Sequence, residues 1–217
     1  MVYSVVVISL KVAIAASALC LLIGIPLARL MAHRRGFPFR ILRVITSLPL
    51  ILPPTVVGWF LLTVFSSRRP VGQWLESIGF PLVFDWKGAA LAAFAGSLPM
   101  FLGPVVTAFE SVDPNLPAFA RTLGLSRIRV FLKVTLPLAA PGIWSGLALA
   151  FARSLGDFGA SLVVAGNIPQ STQTLSMAIY DAIHDSNESA AWGLIAVSVA
   201  IAVAALLIAD RQGRRTW

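Results

Sequence analysis

A single cysteine, Cys20, excludes a disulfide framework and a thiolate metal site, because each needs a second sulfur. Cys20 lies inside an apolar run, where a free cysteine behaves as a small buried hydrophobe. Histidine is nearly as scarce. His33 sits in a basic segment and His184 in an acidic one, so no catalytic or metal-ligating grouping forms around them. No G-x-x-x-x-G-K-[ST] loop occurs, which removes that route to binding nucleotide phosphates. Charge is thin throughout: 12% of the 217 residues are Asp, Glu, Lys or Arg, against about 25% in a soluble domain. The expectation is therefore no catalytic residue, no metal and no cofactor on this chain.

What abounds is apolar sequence. Hydrophobic residues make up 58% of the chain and the mean hydropathy is +0.86, values of a polytopic membrane protein. Crossing about 30 Å of hydrocarbon takes about 20 helical residues. Five stretches qualify: about Val5 to Met31, Val44 to Phe65, Gly88 to Phe109, Leu138 to Ala160 and Ala190 to Ala209. The fold class expected is an all-α membrane protein, with residues 1–217 forming one domain of five spans. The first run is too long for a signal-peptide core and lacks a basic N-terminal flank, so it should stay in the membrane.

The net charge of +8 raises the question of nucleic acid, yet the cations gather at the ends of apolar runs without interleaved aromatics, so none is expected as a partner. Twelve of the seventeen Lys and Arg fall at Arg29 to Arg43, Arg121 to Lys133, and Arg211, Arg214 and Arg215. Cytoplasmic loops keep such an excess. Five spans put these three places on one side, with the N-terminus outside and the C-terminus inside. The stretch Thr172 to Asp185 places Leu175, Ala178, Ile179, Ala182 and Ile183 on one face of an amphipathic helix at the outer surface.

The second span carries Pro49, Pro53 and Pro54, and the third Gly96, Pro99, Gly103 and Pro104. Proline removes a backbone donor, and the freed carbonyls need protein or a wet cavity, so both spans are expected to break near mid-membrane beside a translocation path, the alternative being packing kinks, since proline is common in transmembrane helices. In the fourth span Gly142, Gly146, Ala150 and Ser154, and beside them Ala148, Ala152, Gly156 and Ala160, form two stripes of small residues suited to close helix packing. Arg153 and Asp157, four apart on that span, form a local ion pair about 18 Å beyond Pro141. A charge at such depth marks either a functional site or a structural pair. Path and gate candidates are thus Pro49, Pro53, Pro54, Pro99, Arg153, Ser154, Gly156 and Asp157. Lys11, Lys87 and Arg153 are candidates for drawing an anion inward.

Between Leu116 and Pro137 runs a basic, helix-forming segment too charged for lipid. Leu116, Ala120 and Leu123 share a helical face, Gly124 permits a turn, and Ser126 can cap a second helix that ends at Leu136-Pro137, with Pro141 opening the next span. Such a projection suits a docking surface, and equally a helix resting on anionic headgroups.

The spacing resembles the loop signature of ABC-transporter permeases, E-A-A followed after three residues by Gly and later by I-x-L-P. Here it reads Ala118-Phe119-Ala120, Gly124 and Val134-Thr135-Leu136-Pro137, with Ala118 in place of the Glu and Phe119 in place of the first Ala. The segments SLKVA, LPLILPPTVVG, ARTLG, FLKVTLPLAAPGI, LAFARSLGDFGA and NIPQSTQTLSMAIY extend the likeness along the chain and are similar to the molybdate permease group. The resemblance implies a homodimeric importer subunit of a bacterial or archaeal cytoplasmic membrane. Two ATP-binding cassette subunits would hold ATP and Mg inside, and a molybdate-binding protein would stand outside. Ala118, Phe119, Ala120, Arg121, Thr122, Leu123, Gly124 and Leu125 would couple the chain to the ATPase. A sulfate or thiosulfate permease is the nearest alternative, and tungstate a possible second cargo. An ATP-independent channel or secondary carrier is the rival from another class, and it would leave the loop unexplained.

Overall fold

The computed structural model describes residues 2–34 and 36–214, with side chains described up to residue 207. Arg35 and Arg215, counted above among the basic clusters, lie outside the described residues, as do Met1, Thr216 and Trp217. Every regular element among the described residues is helical. Helix α1 covers Val2–His33 and α2 and α3 cover Phe37–Ile51 and Pro54–Phe65. A short α4 (Pro70–Ser77) precedes the long α5 (Trp86–Glu110). Then come α6 (Asn115–Thr122), α7 (Arg127–Leu155), α8 (Gly159–Ala165), α9 (Leu175–His184) and α10 (Glu188–Arg214).

Among the described residues α1, α5, α7 and α10 are long and apolar enough to cross a membrane, and the bent pair α2 and α3 makes a fifth crossing if counted as one span. The centre of the bundle is α5 against α7. A Cβ added to Gly146 would stand 2.7 Å from the Phe101 carbonyl, and one on Gly142 would stand 2.7 Å from that of Pro104. This small-residue stripe therefore lets two backbones approach to a distance that any side chain would prevent. Phe101, Val105 and Phe109 of α5 fill the core beside it, with Met31 and Ala28 of α1.

The second span breaks as expected: Leu52 and Pro53 take extended backbone between α2 and α3, and the helix axis bends by 113° from one to the other. Two other expectations need correction. The third span does not break, since α5 runs unbroken through Pro99 and Pro104. Near the prolines Ser97 Oγ donates to the Ala93 carbonyl at 2.7 Å and Thr107 Oγ1 to that of Gly103 at 3.1 Å, each one turn back on the same helix. The fourth span starts earlier and ends earlier than Leu138 to Ala160. Helix α7 continues through Leu136, Pro137 and Pro141 from Arg127, and it stops at Leu155. It absorbs Pro137 by a π-turn at Phe131–Thr135, whose wider hydrogen-bonding register precedes the residue that has no N–H to give. Helix α1 uses the same device, a π-turn at Cys20–Gly24 ahead of Pro26.

At the end of the bundle shared by the starts of α1, α5 and α10, α9 packs Leu175, Ala178 and Ala182 against Val5 of α1 and Ala191 and Leu194 of α10. Ile183, expected on the same face, is exposed. The Leu175 N–H donates to Ser9 Oγ at 2.7 Å and Ser176 Oγ donates to the Leu155 carbonyl at 3.1 Å, which ties α9 to both α1 and the end of α7.

Candidate functional site

Two places among the described residues hold most of the sequence candidates. The first lies inside the bundle, where α7 ends. Arg153 Nη1 donates to Asp157 Oδ1 at 3.2 Å, and the Asp157 side chain is 1% exposed against 25% for Arg153. The other carboxylate oxygen of Asp157 accepts the Ser161 N–H at 3.0 Å and the Ser161 hydroxyl at 2.5 Å. Asp157 therefore both neutralises Arg153 and satisfies an orphan donor in the first turn of α8, which is why a new helix starts directly after the break at Gly156–Phe158. Ser161 Oγ also lies 3.3 Å from the Ala89 carbonyl on α5. One turn back on α7, Ser154 Oγ donates to the Ala150 carbonyl at 2.8 Å and reaches Ser97 Oγ at 3.3 Å, and Ser97 in turn lies 3.7 Å from Cys20 Sγ on α1. A Cβ on Gly96 would stand 3.2 Å from Arg153 Nη2, so the glycine leaves room for the guanidinium beside α5.

Of the sequence candidates, this cluster gathers Arg153, Ser154 and Asp157 and leaves others out. Gly156 is exposed in the break, and Pro99 sits on the unbroken α5, a turn beyond Gly96 and Ser97. Pro49 lies within α2, and Pro53 and Pro54 form the bend, where Gly159 would bring a Cβ to 3.2 Å from Pro54. The bend of the second span thus meets the break after α7, rather than an interruption in α5. Ser97 and Ser161 were missed from sequence. Ser161 continues the four-residue spacing of Arg153 and Asp157, a legible signal, whereas Ser97 has no such mark. The other two cations are engaged: Lys11 Nζ lies 3.8 Å from the centre of the Trp86 ring, and Lys87 Nζ lies 3.3 Å from Asp85 Oδ1.

The second place is the segment from α6 to the start of α7. Helix α6 ends in a Schellman turn: the Leu125 N–H donates to the Ala120 carbonyl at 3.3 Å and the Gly124 N–H to that of Arg121 at 3.0 Å, with Gly124 at φ +84°. Ser126 then caps α7, accepting from the Arg129 N–H at 3.5 Å. Ala120 is buried as the inward side of α6, while Phe119 is 66% and Leu123 69% exposed. The outward edge is therefore Leu116, Phe119 and Leu123, with Ala118, Arg121, Thr122 and Gly124 exposed around it and Leu125 half-buried. Phe119 is an exposed residue that the expected face did not include. Helix alternation places this segment at the same end as His33, Glu110 and the Arg43 to Glu110 ion pair of 3.1 Å.

The family described as "Binding-protein-dependent transport system inner membrane component" matches residues 24–217. The chain belongs to that family of membrane permease subunits of ABC importers, and it is an inner-membrane protein, not itself catalytic. It is 43% identical over 212 residues to the molybdenum transport system permease protein ModB of Escherichia coli (strain K12), covering 96% of this chain and 92% of that protein. The sulfate transport system permease protein CysT of the same organism is 34% identical over 197 residues, covering 88% of this chain and 71% of that one. In fold it resembles a chain of the MetNI methionine ABC transporter, solved in inward-facing conformations, with a TM-score of 0.73 at 16% identity over 100% of this chain and 94% of the other.

Proposed function

We propose that the chain is the membrane subunit of a molybdate importer and works as a pair with a second copy of itself, residues 1–217 acting as one transmembrane unit. The molybdate assignment is supported by 43% identity to a molybdenum permease over 92% of its length, against 34% over 71% of a sulfate permease. Tungstate, similar in charge and shape, is a candidate second cargo. An external binding protein selects and delivers the anion. Two ATPase subunits on the other side bind ATP with Mg and supply the work. The basic end, with Arg29 to Arg43, the 116–137 segment and the C-terminal arginines, is cytoplasmic, and the N-terminus is outside.

The observation that carries the coupling assignment is the exposed apolar edge of Phe119 and Leu123 on a helix closed by a fixed Schellman turn. Large apolar side chains held out on a stiff projection suit a pocket on a partner, where a few such anchors carry most of the binding energy. Residues Ala118 to Leu125 are the proposed coupling element. Closure of the ATPases on nucleotide then moves α6 and the start of α7 as a unit, and the spans rock between inward- and outward-facing states. Arg153, Ser154, Gly156 and Asp157 at the break, with Pro49, Pro53 and Pro54 at the bend and Pro99 beyond Gly96, are proposed to border the path. Arg153 is held by Asp157, so a passing dianion meets a positioned rather than a free cation.

The test is uptake by the reconstituted complex. Leu123→Asp is expected to weaken ATPase docking about thirtyfold, the loss of one buried anchor, and to abolish ATP-driven molybdate uptake while the subunit still inserts. Unchanged uptake would defeat the coupling assignment. Equal competition by sulfate would transfer the cargo assignment to the sulfate class.

A further inference from the structure

At the basic end of the bundle a groove of about 480 Å³ opens between the last turns of α1 and the first of α7. Its floor is apolar, formed by Ile25, Pro26, Leu30 and Phe131, and its rim carries Arg29 and Arg34, with His33 between them. The Arg29 guanidinium lies 4.1 Å from the centre of the Phe131 ring, which holds it over the floor, and Arg34 lies 6.0 Å from the Phe39 ring. Arg43, Lys87 and Arg153 each have a carboxylate partner, at 3.1, 3.3 and 3.2 Å. Among the described residues neither Arg29 nor Arg34 has one. Acidic side chains are also absent from the groove lining. Two uncompensated cations therefore sit above an apolar trough at the end of a membrane-crossing helix. Arg29 lies about 6 Å inside that end, at the depth where hydrocarbon gives way to headgroups.

We propose that this groove binds the headgroup of an anionic phospholipid from the surrounding bilayer, with the phosphate between Arg29 and Arg34 and the first part of an acyl chain along Pro26, Leu30 and Phe131. Pro26, Arg29 and Leu30 are exposed, so the groove is reached from outside the bundle. A free oxyanion would satisfy the guanidinium groups and leave the floor wet. An amphiphile with a negative head satisfies both, as basic pockets between membrane helices do for acidic lipids. Because Phe131 begins the π-turn that follows α6 and the Ser126 cap, the lipid would brace the base of that projection against α1. The proposal needs only the membrane placement of α1, not the identity of the transported anion.

Native mass spectrometry of the full complex, titrated with phosphatidylglycerol or phosphatidylcholine, tests it. The wild-type complex is expected to retain phosphatidylglycerol in preference. Arg29→Gln with Arg34→Gln should weaken that retention about thirtyfold, the share of two headgroup-contacting cations. Phe131→Ala should weaken it several-fold, and the same charge change at the opposite end, Arg68→Gln with Arg69→Gln, should leave it unchanged. Should the double Gln variant not insert, Arg29→Lys with Arg34→Lys is expected to stay within about threefold of wild type, and wild-type retention should fall as salt rises. Equal retention by the Gln variant, equal retention of phosphatidylcholine, or displacement by inorganic phosphate would overturn the proposal. So would retention only after the ATPase is removed, which would assign the groove to a protein surface.

Discussion

Gly124 decides the geometry of the loop by its backbone alone. It sits at φ +84°, and a Cβ added there would meet nothing within 4 Å, so substitution has no steric penalty from neighbours. What remains is the left-handed conformation, which costs a non-glycine residue about 1–2 kcal/mol and asparagine less. ATP-driven uptake by Gly124 variants should therefore fall in the order Gly, Asn, Ala, Pro, because proline cannot reach this φ at all. A flat series, measured at equal membrane abundance, would show that the turn's shape is irrelevant to transport. Asp157 shows the other limit of residue-level reading. Its pairing with Arg153 was legible from the four-residue spacing, and the same spacing pointed on to Ser161, but the bond to the Ser161 N–H was not legible, because a carboxylate captures that donor only where the helix stops.

At the scale of the element, apolar runs made the long helices readable, and proline marked the break of the second span but misled about the third. Pro99 and Pro104 sit in a helix that carries on, packed on Phe101 and Val105 against the glycines of α7. The break at Gly156–Phe158 contains no proline and follows from the carboxylate that starts α8. Periodicity registers how apolar a helix is, and it is blind to a side chain capturing the backbone of the next turn. The packing of α3 on α8 supplies a test. A Cβ on Gly58 would come within 2.8 Å of the Ala160 carbonyl and 2.9 Å of Val163. Gly58→Val should force the two short helices apart and lower the thermal unfolding midpoint of the solubilised protein by several degrees, as overpacking does at about 1–3 kcal/mol. An unchanged midpoint would mean that α3 and α8 are free to separate.

Across the whole molecule, charge and chemistry are sorted by end. The path candidates lie at the break of α7 and the bend between α2 and α3, while the docking edge lies on α6, which the Gly124 turn joins to the start of α7, so one long helix spans most of the distance between the two. The sequence made this division visible through its clusters of Arg and Lys. It did not disclose that Leu136-Pro137 joins rather than separates the loop and the span, because a π-turn has no compositional signature. That turn also sets an angle. One extra residue in a turn rotates everything before it by about 100° about the helix axis. Deleting a single residue from Phe131–Thr135 would leave every side chain of α6 unaltered and swing Phe119 and Leu123 about a quarter-turn off their bearing. The deletion mutant is expected to insert and fold, while the reconstituted complex built on it no longer drives uptake with ATP, with the aim of the projection, not its composition, as the property lost.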